Sequence, residues 1–170
     1  QQKTAEEEDK QRELAAEQQW QQQQQQLAEQ QYAEEQRLVE QQRMAEQNKA
    51  LGIHYNFSPS VDVNNNSKNP IIGNRSFGED PVNVYKKAKA YIQGHKDAGI
   101  FTSIKHFPGH GDTDKDSHKT LPVIKGDIKR LNSVELYPFK RLIEDGLAES
   151  VMLAHLSVPA LDKKYPSSLS

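Results

Sequence analysis

The run IFTSIKHFPGHGDTDKDSH, residues 100–118, sets the reading of the whole chain. Its opening, Ile100-Phe101-Thr102-Ser103-Ile104, is apolar and β-branched, as a buried strand requires. From Lys105 to His118 the composition turns over to three His, three Asp, two Lys and two Gly, which reads as a long polar loop. A strand that empties directly into such a loop is the pattern of a site built at a strand end.

Working outward, Asp80 is placed as an N-cap with Pro81 at the first helical position, and Val82, Tyr85, Ala88 and Ile92 mark an apolar face. That helix is expected to end near Asp97-Ala98, with Gly99 as its left-handed cap. Upstream, His54 to Pro59 and then Val61-Asp62-Val63 read as a buried strand running into a turn, and residues 64–70 form a loop by their turn residues. Downstream, a short helix is expected from Pro138 to just before Gly146, and Val151 to His155 read as a third strand. Strand, helix, strand, helix, strand, with crossovers of helical length, predicts an α/β fold with a parallel sheet. Asp62, Arg75, Lys105, His106 and His155 all fall just after strands, on the sheet edge where such folds build sites.

Residues 1–48 are written differently. They hold 17 Gln and a net charge of −6, without a single Gly or Pro, whereas residues 49–170 carry +4 and all nine Gly, eight Pro and six His. The overall −2 is therefore a cancellation. Leu14, Trp20, Leu27, Tyr32, Leu38 and Met44 recur too sparsely to fix a coiled-coil seam. Residues 1–48 are expected to be a Gln/Glu-rich solvated helix or a disordered tract, with self-association left open. Residues 49–170 are expected to be the globular part.

Several classes of function are excluded. There is no Cys, hence no disulfide framework and no thiolate site. No run nears the ~20 apolar residues of a membrane span. A charge of +4 over the second part is too weak to argue for nucleic acid. The first residues show no apolar leader core behind a basic end, which leaves the compartment open: cytoplasmic, or periplasmic or extracellular if a leader was lost.

The loop itself admits four readings. Asp112, Asp114 and Asp116 alternate as in a calcium loop, but an EF-hand would then need Gly and Glu where Ser117 and Val123 stand. His106, His110 and His118 could suggest zinc, yet Pro108 and Gly109 prevent the helix that would align the first two. No metal or cofactor is expected. A phosphate cradle lacks the Lys-Ser/Thr that should follow its glycines. A carbohydrate site fits best. Lys105 and His106 can donate to sugar hydroxyls, and Asp116, two residues from His118, can bond one imidazole nitrogen and leave the other free to exchange a proton. Asp62 reads as a turn-stabilising carboxylate and His110 as structural to the loop. His155 reads equally as pocket-lining or as a satisfied buried imidazole.

Together Lys105-His106-Phe107-Pro108-Gly109-His110-Gly111 and Asp116-Ser117-His118 resemble the signature of glycoside hydrolase family 3, in its β-N-acetylhexosaminidase (NagZ-type) branch. Asn56-Phe57-Ser58-Pro59, Gly73-Asn74-Arg75-Ser76-Phe77 and Met152-Leu153-Ala154-His155 support the resemblance in family order. It implies a TIM (β/α)8 barrel that removes β-linked N-acetylglucosamine from glycans such as peptidoglycan fragments. The implied chemistry retains configuration through a covalent glycosyl-enzyme on an Asp. By matched position, His118 would be general acid and then general base, and Asp116 would orient it. Arg75, Lys105 and His106, with His155 at the pocket edge, would hold the sugar. A phosphorylase of the same family, or a non-catalytic sugar-binding or coiled-coil fragment, are the rival readings.

The resemblance covers only about three central βα units, so a partial barrel is expected at residues 49–170. No Asp in the chain matches the family's nucleophile, and the 170 residues alone are expected not to turn substrate over.

Overall fold

The computed structural model describes the backbone of residues 2–170, and side chains from residue 10 onward. The chain divides into two compact units, Gln1–Glu40 and Gln41–Ser170.

The first unit is the greater part of one long helix, α1 (Gln2–Ala50). Gln, Glu, Ala, Lys and Arg all favour helix, so propensity alone supports it. Every side chain from residue 10 to 40 is exposed, Leu14, Trp20, Leu27, Tyr32 and Leu38 among them. Among the described side chains of this unit, no apolar stripe is covered.

The last turns of α1 belong to the second unit, where Gln41 and Ala45 are buried. After them come β1 (Tyr55–Asn56), a 3-10 turn (Gly73–Arg75), α2 (Pro81–Asp97), β2 (Phe101–Thr102), β3 (Ile104–Phe107), α3 (Ile128–Ser133), α4 (Tyr137–Glu144) and β4 (Val151–Leu153). β1 pairs with β2 and β3 with β4, both in parallel. A parallel bridge between Ser60 and Lys105 stitches the two ribbons together, with Val61 N–H donating to Lys105 O at 2.7 Å and Lys105 N–H to Pro59 O at 3.1 Å. The result is a parallel α/β frame whose strand ends all point the same way.

The helix α2 starts where its cap places it, because the Asp80 carboxylate accepts from Asn83 N–H at 2.8 Å. It closes at Gly99, whose φ of +76° suits glycine. Its buried face differs from the expected one. Val84, Ala88, Tyr91, Ile92 and His95 turn inward, while Val82 is exposed and Tyr85 half-buried. Ala88 and Ile92 lie inward as expected and Tyr85 packs at the core's edge, but Val84 rather than Val82 continues the i, i+4, i+7 row. The helix α3 was not foreseen; Asp127 caps it by accepting from Arg130 N–H at 2.8 Å.

The expected strands are real but shorter and broken. The stretch from Ile100 to Phe107 is interrupted at Ser103, whose N–H donates to Asn56 O and Ser58 O, both at 3.1 Å. Pairing then extends past the expected end at Ile104 through Lys105, His106 and Phe107, where Phe107 O accepts from Ala154 N–H at 2.8 Å. Lys105 and His106 are thus strand residues, not the start of a loop.

Two apolar clusters lie on this frame. One joins Val61, Val63, Val84, Ile92, Ile104, Phe139 and Leu142, and the other joins Ile124, Leu131, Leu156 and Val158. Phe107 packs against both, and meets Phe139 edge-on with ring centroids 5.4 Å apart. Phe139 has no solvent exposure. Replacing Phe139 with Ala is expected to lower unfolding free energy by about 3–5 kcal/mol in urea titrations of the chain.

Candidate functional site

The site grows from one carboxylate. Asp62, fully buried two residues past the Ser60 bridge, accepts from four groups. Ser60 Oγ–H donates to its Oδ2 at 2.6 Å, and His110 N–H to its Oδ1 at 2.6 Å. His106 N–H reaches both oxygens at 3.2 Å, and His106 Nδ1 lies 2.8 Å from Oδ2. An ionised carboxylate only accepts, so Nδ1 carries the proton and Nε2 of His106 is left for another partner. Burial pushes the Asp62 carboxyl up, but the His106 hydrogen bond and charge, Ser60 and the His110 amide outweigh it and hold it below the ordinary carboxylate range.

Around this hub the loop after β3 is folded tightly. The peptide bonds Lys105–His106 and Phe107–Pro108 are cis. At Gly111 an added Cβ would lie 1.8 Å from Val63 O, so only glycine lets the two backbones meet there. Gly109 has φ +126° and faces Glu135 Cβ. Asn69 closes the far side, donating through Nδ2 to His110 O at 2.7 Å and Gly111 O at 3.1 Å while its Oδ1 accepts from Ile71 and Ile72 N–H.

Lys105 sits half-buried beside His106. Burial and the Arg75 guanidinium lower its pKa, against the pull of Asp62. Arg75 is exposed and donates to Ile71 O. Arg75, Lys105 and His106 therefore gather into one cationic, donor-rich patch. Asp116 and His118 meet each other: His118 Nδ1 lies 2.8 Å from Asp116 Oδ1, which also accepts from His118 N–H at 2.8 Å. Those two hydrogen bonds, first from the amide and then from the ring, hold the Asp116 carboxyl below its ordinary value. The His118 side chain is 83% exposed, with Nε2 unengaged. His155 lies beyond β4, exposed, with Nδ1 2.6 Å from Ser168 Oγ; none of its hydrogen bonds reaches the other site residues.

Two groups went unnoticed in the sequence. Ser60 supplies a donor to Asp62, and nothing in its spacing announces that. Glu135, buried behind Gly109, bonds Arg130 at 3.1 Å and keeps Oε2 without a partner; burial raises its pKa. The Gly109-His110-Gly111 triplet was the available signal for a close approach there. Among the described residues, no cluster of three or more His, Asp or Glu is arranged to hold a metal ion.

A parallel α/β frame thus carries a donor-rich patch at its strand ends and a carboxylate–imidazole pair on the loop beyond them. Residues 4–170 match the glycosyl hydrolase family 3 N-terminal domain, and the chain belongs to that family. It is 45% identical over 113 residues to beta-hexosaminidase A of Pseudoalteromonas piscicida, covering 66% of this chain and 19% of that one. To beta-hexosaminidase LpqI of Mycobacterium tuberculosis it is 42% identical over 122 residues, covering 72% and 31%. Among solved structures, a family 3 beta-N-acetylglucosaminidase from Paenibacillus sp. superposes with a TM-score of 0.75 at 41% identity, over 79% of this chain and 26% of that one. NagZ from Neisseria gonorrhoeae superposes with a TM-score of 0.67 at 35% identity, over 74% and 36%. The chain thus spans from about a fifth to a third of the length of these curated relatives.

Two outcomes test the site's construction. Asp62→Asn replaces an acceptor facing four donors with a group that itself donates, and should cost about 2–4 kcal/mol. Because the folded Asp62 pKa lies below its unfolded value of about 4, its stabilisation is present above that value and lost as pH falls through the folded one. Urea midpoints of the native chain should therefore drop more steeply from pH 6 to pH 3 than those of the Asn variant. Gly111→Ala, driven into Val63 O, should lower the melting temperature by more than Gly146→Ala, whose Cβ meets nothing within 4 Å and bears only the cost of its φ of +68°.

Proposed function

We propose that this chain supplies the acid/base and sugar-holding part of a β-N-acetylhexosaminidase acting on N-acetylglucosamine-containing glycans, peptidoglycan fragments among them. The observation that carries the reading is the 2.8 Å Asp116–His118 contact, which engages Nδ1 and leaves Nε2 exposed. In the glycosylation step, His118 Nε2–H gives its proton to the glycosidic oxygen as the bond from that oxygen to the anomeric carbon breaks. A carboxylate oxygen takes that carbon from the opposite face, forming a glycosyl ester. In the second step the neutral ring removes a proton from water, water oxygen attacks the anomeric carbon, and the carboxylate leaves. Configuration is retained after two inversions.

Arg75, Lys105, the free Nε2 of His106 and, further off, His155 hold sugar hydroxyls. The nucleophilic carboxylate has no matched Asp in residues 1–170, so this part binds sugar without cleaving it. Residues 49–170 are assigned to about three central units of a TIM barrel. Residues 1–48 are assigned as a Gln/Glu-rich segment whose last turns, from Gln41, belong to the second unit, and light scattering of that segment alone reports whether it self-associates.

An aryl β-N-acetylglucosaminide is the direct test. The 170-residue chain should release no aryl alcohol, and turnover that vanished with His118→Ala would overturn its assignment as a part without a nucleophile. In the full-length protein, His118→Ala should lower kcat by about 10²–10⁴, and Asp116→Asn by less. A rate that rises with added phosphate would replace the hydrolase by the phosphorylase.

A further inference from the structure

The hydrogen bonds around residues 112–120 are distributed unevenly. Asp112 and Thr113 are held by the body of the domain: Asn66 Nδ2 donates to Asp112 O at 3.1 Å, Arg130 lies 3.4 Å from the Asp112 carboxylate, and Asn69 Nδ2 approaches Thr113 Oγ1 at 3.4 Å. Beyond Thr113 the bonds turn inward on the loop. Lys119 and Thr120 N–H donate to Asp116 O, and His118 donates twice to the Asp116 carboxylate. Among the described residues, one hydrogen bond ties 114–120 to anything outside that segment. It runs from Ser117 Oγ to His110 Nε2, at 3.0 Å.

His110 is well placed to hold that bond. Its side chain is buried, its own N–H donates to Asp62, and its carbonyl accepts from Asn69. Its other nitrogen, Nδ1, lies 2.6 Å from Thr113 Oγ1. Burial lowers the pKa of the ring, which favours the neutral form with one donor and one acceptor. Either tautomer can satisfy both hydroxyls, because each hydroxyl can turn to donate or accept. Ser117 stands between Asp116 and His118, so what fixes Ser117 fixes the pair on either side.

We infer that His110 is a positioning residue: through Ser117 it fastens the Asp116–His118 turn to the Asp62 hub and so sets where the His118 ring stands over the sugar site. The inference rests on the proposed acid/base role of His118 only for its catalytic meaning. The tether is measurable without any turnover.

Amide hydrogen exchange and the ring resonances of His118 in the full 170-residue chain provide the test. Ser117→Ala removes the bond from its half-buried end without disturbing the buried ring. It should speed exchange at residues 116–119 by about fivefold, the effect of losing one ordinary hydrogen bond. It should also shift the His118 ring nitrogen signals, while exchange at Ile104–Phe107 stays unchanged. Ser117→Thr, which keeps a hydroxyl, should restore both readouts. His110→Phe, which fills the space without bonding, should reproduce the Ser117→Ala pattern at 116–119. Unchanged exchange and unchanged ring signals in Ser117→Ala would overturn the tether, as would acceleration spread equally over β3. A failed tether with intact His118-dependent turnover in the full-length protein would leave the acid/base reading standing, and the reverse result would leave the tether standing.

Discussion

Everything at the strand ends depends on one buried negative charge being fully solvated by the protein. Asp62 has no access to water, so its four donors must replace the hydration it gave up. Removing any one leaves a charge-assisted bond unmade in a medium where that is costly. This constraint settles the conformation of its donors. Ser60, His106 and His110 come from two separate segments, and the carboxylate draws both to one point. The folded loop after β3 is the shape that satisfies this acid, with Gly111 admitted because the loop must then pass against Val63.

From that point two kinds of group are presented outward. One is cationic and semi-fixed: Lys105 on the strand, the free face of His106, and Arg75 at the end of its 3-10 turn. The other is the Asp116–His118 turn, exposed and locally self-contained. Under the proposed function, a receiving surface fixed to the strands beside a more loosely attached imidazole–carboxylate pair suits a polar substrate that enters before it is acted upon. The α/β frame that carries both is shared with the family 3 structures it superposes on.

Much of this was legible in the sequence where local rules dominate. Asp80, Pro81 and Gly99 mark the ends of α2 because capping and positive φ are decided by one residue each. The motif from Lys105 to His118 singled out the candidate site residues, and the Asp-x-His spacing gave the Asp116–His118 contact, since two residues apart on a turn is already within reach. Burial and tertiary pairing were harder to read. The apolar face of α2 was right at Ala88 and Ile92 but wrong at Val82, because Val82 and Val84 look alike until packing chooses one. Strand ends were misread at Lys105 because a polar side chain does not reveal that its backbone pairs with β4. Asp62 was seen as a turn carboxylate, and it does stabilise a turn. That it also collects His106 and His110 needed the fold, since 44 and 48 residues separate them from it. Glu135 and Asn69, both buried among polar backbone, left no periodic trace.

Because Asp116 and His118 ride on the same short turn, their separation does not change when the turn as a whole is displaced. A swing of the segment would carry the ring and its carboxylate together, like a tool already set in its handle. The geometry between imidazole and carboxylate is thus set within the turn itself, independently of where the turn stands.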